Sequence, residues 1–189
     1  NGAWGIYPKD IDLDGDIDIL STATTADDLT WWENDGSQSF TENVIKGDFD
    51  GGRNVYAADV DTDGDIDLLA VANIDDDITW WENTATFALD PTSTTYSINS
   101  AADGAESVHA ADIDADGDLD LFIGTDTDLS EFPLSGKVKY FENIGIDASG
   151  EPIWTLVDDE YLGGNIGYNL SPDFGDIDSD GDYDMVVGE

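Results

Sequence analysis

Apolar residues along this chain come in short runs rather than at helical spacing. Residues 68–72 read Leu-Leu-Ala-Val-Ala and residues 185–187 read Met-Val-Val, each run bordered by Asp and by Asn or Gly. Runs of that length with such borders predict strands. Three further segments share an ending: Leu29-Thr30-Trp31-Trp32-Glu33-Asn34, Ile78-Thr79-Trp80-Trp81-Glu82-Asn83 and Val138-Lys139-Tyr140-Phe141-Glu142-Asn143. Side chains alternate between the two faces of a strand, so adjacent rings such as Trp31 and Trp32, or Trp80 and Trp81, point opposite ways. Both faces of those strands must then be buried, whereas a sheet with one wet face would alternate polar and apolar positions. Small residues at 55–58 (Val-Tyr-Ala-Ala) and 108–111 (Val-His-Ala-Ala) predict strands in a crowded setting. No amphipathic helix is predicted, and the expected class is all-β.

The strands travel with a repeated motif. Asp-x-Asp-x-Asp-Gly-Asp-x-Asp occurs at residues 10–18, 59–67, 112–120 and 176–184, with starts 49, 53 and 64 residues apart. The first three copies are followed by an apolar run, a polar turn and the aromatic strand ending in Glu-Asn; the fourth reaches Glu189 before that strand. Repeats near 50 residues with about four strands each predict β-propeller blades, sheets stacked radially so that neighbours cover both faces; a stacked solenoid fits less well. The expected organisation is about three and a half four-stranded repeats: blade 1 at 1–50, blade 2 at 51–103, blade 3 at 104–165 and the first half of blade 4 at 166–189. The small-residue strands would lie innermost, and the chain would open on such a strand at about residues 4–9. An open sheet end at 185–187 predicts completion by further blades of a longer chain, or by other copies of the chain in an oligomer or filament. A chain opening on Asn1 rather than Met is expected of a processed or excised piece.

The motif is a metal-loop pattern. Carboxylates at positions 1, 3 and 5 with Gly at 6 surround one point while the backbone turns sharply, and calcium takes six to eight oxygens, the carbonyl at position 7 commonly among them. Position 9 supplies a fourth carboxylate. The first site is therefore expected to use the side chains of Asp10, Asp12, Asp14 and Asp18 with the carbonyl of Asp16. The same reading assigns Asp59, Asp61, Asp63, Asp65 and Asp67 to a second calcium, and Asp112, Asp114, Asp116, Asp118 and Asp120 to a third. Asp176, Asp178, Asp180, Asp182 and Asp184 form the fourth. Five carboxylates within nine residues repel one another without a cation, which argues against a merely solvated turn. An EF-hand would need Glu at position 12 and flanking helices; position 12 is Ser21, Ala70, Ile123 or Val187, between strands. Magnesium prefers a rigid octahedron with retained waters, and zinc prefers His or Cys.

Charge narrows the partners. Lys and Arg total 5 against 45 Asp and Glu, a formal net charge of −40. Nucleic acid and anionic membrane surfaces both need a basic footprint, so neither is expected. Only 20 of the 45 acids lie in the loops, and a salt-adapted acidic surface would account for others. Cysteine is absent, which removes disulfide and thiol chemistry. No stretch of about 18 apolar residues is present, so membrane insertion is not expected.

The Asp-rich loop, the apolar strand after it and the aromatic-Glu-Asn strand together resemble the FG-GAP/VCBS repeat family, whose loops are related to those of integrin alpha-subunit propellers. Phe174-Gly175 matches the Phe-Gly element, although no Gly-Ala-Pro follows. The resemblance implies β-propeller blades, typically seven to a ring, with calcium in the loop between the first two strands of each blade.

Catalysis needs a tuned acid, base or nucleophile in a pocket. The single histidine, His109, aligns with Tyr7 and Tyr56 three residues before each loop, which reads as structural. The basic residues Lys9, Lys46, Arg53, Lys137 and Lys139 are scattered, and no carboxylate pair outside the loops stands out. The expected function is a non-catalytic, extracellular or cell-surface calcium-binding module for adhesion or structural assembly. The alternative is a carbohydrate-binding or polysaccharide-processing propeller domain, since Trp4 or Trp154 could stack on a glycan ring. The long turn at residues 125–136 is the expected contact surface, because insertions in repeat proteins often sit on the binding face.

Overall fold

The computed structural model describes residues 2–84, 95–99, 103–126, 136–163 and 166–188. Most of the long turn expected to form a contact surface, residues 127–135, lies outside them. The described residues form fourteen strands and no helix. The first sheet is an antiparallel meander of β1 (Ala3–Lys9), β2 (Asp18–Ala23), β3 (Asp28–Asn34) and β4 (Phe40–Lys46). The second runs β5 (Gly52–Ala58), β6 (Asp67–Ala72), β7 (Asp77–Trp81) and β8 (Thr95–Asn99). The third runs β9 (Ala105–Ala111), β10 (Asp120–Thr125), β11 (Val138–Ile146) and β12 (Pro152–Asp158). A two-stranded sheet pairs β13 (Ser171–Gly175) with β14 (Asp184–Gly188).

The sheets stack face to face in chain order, with β1, β5, β9 and β13 as neighbours along one side. Period-2 alternation assigns each face to one neighbour. In β6, Leu68, Ala70 and Ala72 join the core shared with the first sheet, while Leu69 and Val71 join the core shared with the third. All six β6 residues are buried, as are all six of β10. Trp81 packs toward the first sheet and Trp80 toward the third, so the two-sided burial expected of the paired rings holds there. The first sheet differs. Its Trp31 is buried against the second sheet, but Trp32 is only half-buried, because among the described residues no sheet covers its far side. Its indole nitrogen donates to Ser21 Oγ at 3.0 Å.

Polar side chains tie neighbouring repeats laterally. Thr22 Oγ1 donates to the Arg53 carbonyl at 3.0 Å, Val108 N–H donates to Asn54 Oδ1 at 3.2 Å, and Ser107 Oγ donates to the Leu170 carbonyl at 2.9 Å. Each bond joins one repeat to the next and fixes how far neighbouring repeats slide past each other. That lateral order sets the four Asp-rich loops at the same end of their sheets, each between the first and second strand.

Candidate metal centres

Each loop leaves an inner strand and enters the second strand on its position-9 aspartate: Asp18, Asp67, Asp120 and Asp184 are the first residues of β2, β6, β10 and β14. The turn repeats in detail. Position 6 is Gly15, Gly64, Gly117 or Gly181 at φ 101°, 102°, 103° and 99°, a left-handed conformation that glycine adopts without strain. Position 4 is also left-handed, although its residues Leu13, Thr62, Ala115 and Ser179 carry a Cβ. Four matching outliers on four different side chains show that the loop's internal bonding, not residue preference, sets the backbone.

That bonding is a ring of aspartate acceptors. In the first loop Asp10 Oδ2 accepts from Gly15 N–H at 3.1 Å, Asp12 Oδ1 from Asp14 N–H at 3.2 Å and Asp14 Oδ1 from Asp16 N–H at 2.9 Å. The second loop repeats these at 3.1, 3.2 and 3.0 Å, and the third at 3.1, 3.1 and 3.0 Å. The fourth gives 3.1, 3.2 and 3.0 Å. Asp18, Asp67 and Asp120 have no exposed surface. Asp67 accepts from Val60 N–H at 2.9 Å and from Asn83 N–H at 2.8 Å, binding the start of the loop to the end of the aromatic strand. Asp18 does the same for Ile11 and Asn34, and Asp120 for Ile113 and Asn143.

The structure gathers three carboxylates per loop, with one ligand oxygen from each lying within 4.8 Å of the others. These are Asp10, Asp12 and Asp18; Asp59, Asp61 and Asp67; Asp112, Asp114 and Asp116; and Asp176, Asp178 and Asp184. Positions 1 and 3 therefore belong to every group. Position 9 completes three of them, and position 5 completes the third loop's. Asp14, Asp63, Asp180 and Asp120 stand outside these triads, as do the position-7 side chains of Asp16, Asp65, Asp118 and Asp182. Such triads can hold metal ions.

One observation tests that fit. Asp10 Oδ1, Asp59 Oδ1 and Asp112 Oδ1 are buried with no hydrogen-bond partner. A buried carboxylate oxygen without a donor costs about 1–3 kcal/mol or more, so its recurrence at position 1 of three loops calls for a cation. A set made wholly of oxygens suits calcium.

A family profile described as FG-GAP-like repeat matches residues 10–70 and 63–123, together more than half of the 189 residues. The chain belongs to the FG-GAP-like repeat family. No curated protein matches it. The FG-GAP-like repeats are blade-like sheets of the β-propeller type, as the strand meanders and their stacking show independently. Among the described residues no helix is long and apolar enough to cross a membrane.

The recurring Asn of the aromatic-Glu-Asn strand has a role that spacing alone did not supply. Besides its backbone bond to the position-9 carboxylate, Asn34 Nδ2 donates to the Ile17 carbonyl at 3.1 Å, and Asn83 Nδ2 donates to the Ile66 carbonyl at 3.1 Å. The only signal was the repetition of Glu-Asn itself. Tyr140, whose hydroxyl donates to Asp120 Oδ2 at 3.2 Å, adds a further tie in the third repeat.

Burial raises the carboxyl pKa of Asp12 and Asp120, and the neighbouring loop carboxylates push Asp12 further. Burial likewise takes Asp67 up to about 7 and Asp61 to about 6, with Asp63 adding to the latter. A folded-state pKa above the unfolded value means that the folded chain holds protons the unfolded chain releases. These groups therefore make the calcium-free fold less stable as pH rises from about 4 to 7. Melting curves in EDTA are expected to shift upward between pH 7.5 and pH 5. In saturating calcium the trend should reverse, because protons compete with the metal for the same oxygens.

Proposed function

We propose that this FG-GAP-like repeat protein is a non-catalytic calcium-binding module acting outside the cell in adhesion or structural assembly, its blade loops stiffened by four calcium ions. The orphaned position-1 oxygens of the first three loops carry the reading, and the fourth loop joins them by its matching triad. A cation bound there would offset their charge and stiffen the turn. Multi-aspartate sites of module type bind calcium at about 10⁻⁴–10⁻³ M, a range filled outside cells and empty inside them. A stiff, strongly acidic array with an uncovered sheet at either end of the described stack suits contact with further blades or with other copies of the chain. Beads carrying the chain should cluster in millimolar calcium and disperse in EDTA. Beads that stay dispersed in calcium would count against adhesion and self-assembly.

A second reading, carbohydrate binding, is favoured by a cleft of about 300 Å³ between the outer strands β8 and β12. Tyr96 stacks on Trp80 with ring centroids 4.8 Å apart, and Trp154, Asp147 and Glu151 complete the walls. Aromatic faces beside carboxylates suit a sugar ring, so a glycan array probed in calcium separates the two readings. Trp154 is half-buried, and the exposed Trp4 instead lies under the Arg53 guanidinium, which is 4.2 Å from the Trp4 ring centre.

A further inference from the structure

The neighbouring inner strands carry a second feature, independent of the loops. Tyr7 of β1, Tyr56 of β5 and His109 of β9 form a ladder with ring centroids 4.9 and 4.7 Å apart, and Phe174 of β13 continues it at 5.5 Å from His109. Asp173 stands at the end of the ladder, its Oδ1 3.3 Å from His109 Nδ1. These side chains line a cavity of about 410 Å³, large enough for a small ligand.

We propose that this groove binds a small organic cation of the alkylammonium type, its charged head against the Asp173 carboxylate and its methyl or methylene groups over the Tyr56, His109 and Phe174 rings. Aromatic rings beside a carboxylate are the combination that attracts such cations. No Lys or Arg is among the cavity's described lining residues, so only His109 could neutralise Asp173. Burial lowers the His109 pKa, with Asp173 opposing, which leaves the imidazole neutral and the carboxylate charge available at neutral pH. That charge reaches the ladder, where it contributes to holding the Tyr7 and Tyr56 hydroxyls protonated. Anions are opposed by a chain of net charge −40. A neutral polyol fits less well because polar groups of the wall are already engaged: Tyr56 donates its hydroxyl proton to the Ala110 carbonyl at 3.3 Å, and Asn54 Oδ1 holds Val108 N–H.

The test uses the whole chain in millimolar calcium, so that the loop carboxylates do not compete for the probe. His109 is the only histidine, so its ring C–H resonance needs no assignment. Choline is expected to move that resonance saturably, while its neutral isostere 3,3-dimethylbutan-1-ol leaves it in place. Asp173→Asn, at a side chain 74% exposed and therefore tolerant of change, should weaken choline binding by about two- to fivefold. The same substitution at the distant Asp48 should not. The proposal is overturned by the absence of a saturable shift, by an equal response to the isostere, or by unchanged binding in Asp173→Asn.

Discussion

Chelating calcium from the folded protein is expected to lower its melting temperature by about 10–40 °C. A ligand that binds only the folded state stabilises it in proportion to the logarithm of its excess over Kd. Affinities of about 10⁻⁴–10⁻³ M in about 10 mM calcium give roughly 1.4–2.7 kcal/mol per site. Four sites then contribute about 6–11 kcal/mol, and each kcal/mol moves the midpoint of a domain this size by about 2–4 °C. Removal also leaves the buried oxygens of Asp10, Asp59 and Asp112 with neither metal nor donor. Thermal unfolding followed by tryptophan fluorescence with and without EDTA makes the comparison, and coincident curves would contradict it.

The second large effect separates, within one loop, a triad member that also braces the backbone from one that does not. Asp67 is fully buried and satisfies two backbone N–H groups, those of Val60 and Asn83. Asp67→Ala strips both donors of their acceptor, at about 1–3 kcal/mol each, and should destabilise the protein by about 2–6 kcal/mol in EDTA and by more in calcium, where it also removes a member of the second triad. Asp59 differs, because its Oδ2 accepts only from the exposed Gly64 N–H, which water can satisfy, and its buried Oδ1 is bonded to nothing. Asp59→Ala should remove the second site's contribution in calcium, about 1.4–2.7 kcal/mol, and leave the melting point in EDTA unchanged or higher. Denaturant unfolding of both variants in calcium and in EDTA checks the contrast. Equal losses for Asp59→Ala under the two conditions would show that it holds the loop rather than the metal.

Much of this was legible in the chain itself. The apolar run at 68–72 became the fully buried β6, and the run at 185–187 became part of β14. The opposed rings of Trp80 and Trp81 announced a sheet covered on both sides. What escaped is what tertiary contact creates. The outermost strands β4 and β12 are largely exposed and carry no clean alternation, so periodicity could not find them. The spacing made positions 1, 3, 5 and 9 look equivalent. Folding draws position 9 inward as an acceptor for Asn34, Asn83 and Asn143, and aims position 5 at the N–H of position 7. His109 was read as structural from its alignment with tyrosines. The fourth repeat breaks that alignment with Asp173, which turns the row of rings into a row that ends in a charge.

Four turns of one pattern, each gathering three carboxylates, should hold one calcium apiece. Native mass spectrometry of the 189-residue chain across a calcium titration counts the ions directly. The account predicts a final state with four bound calciums. The last to bind should be the ion of residues 176–184, where Asp184 is less buried than Asp18, Asp67 or Asp120. Replacing Asp176 by Ala should then cap the series at three. A series that saturates at one ion or none would contradict the account.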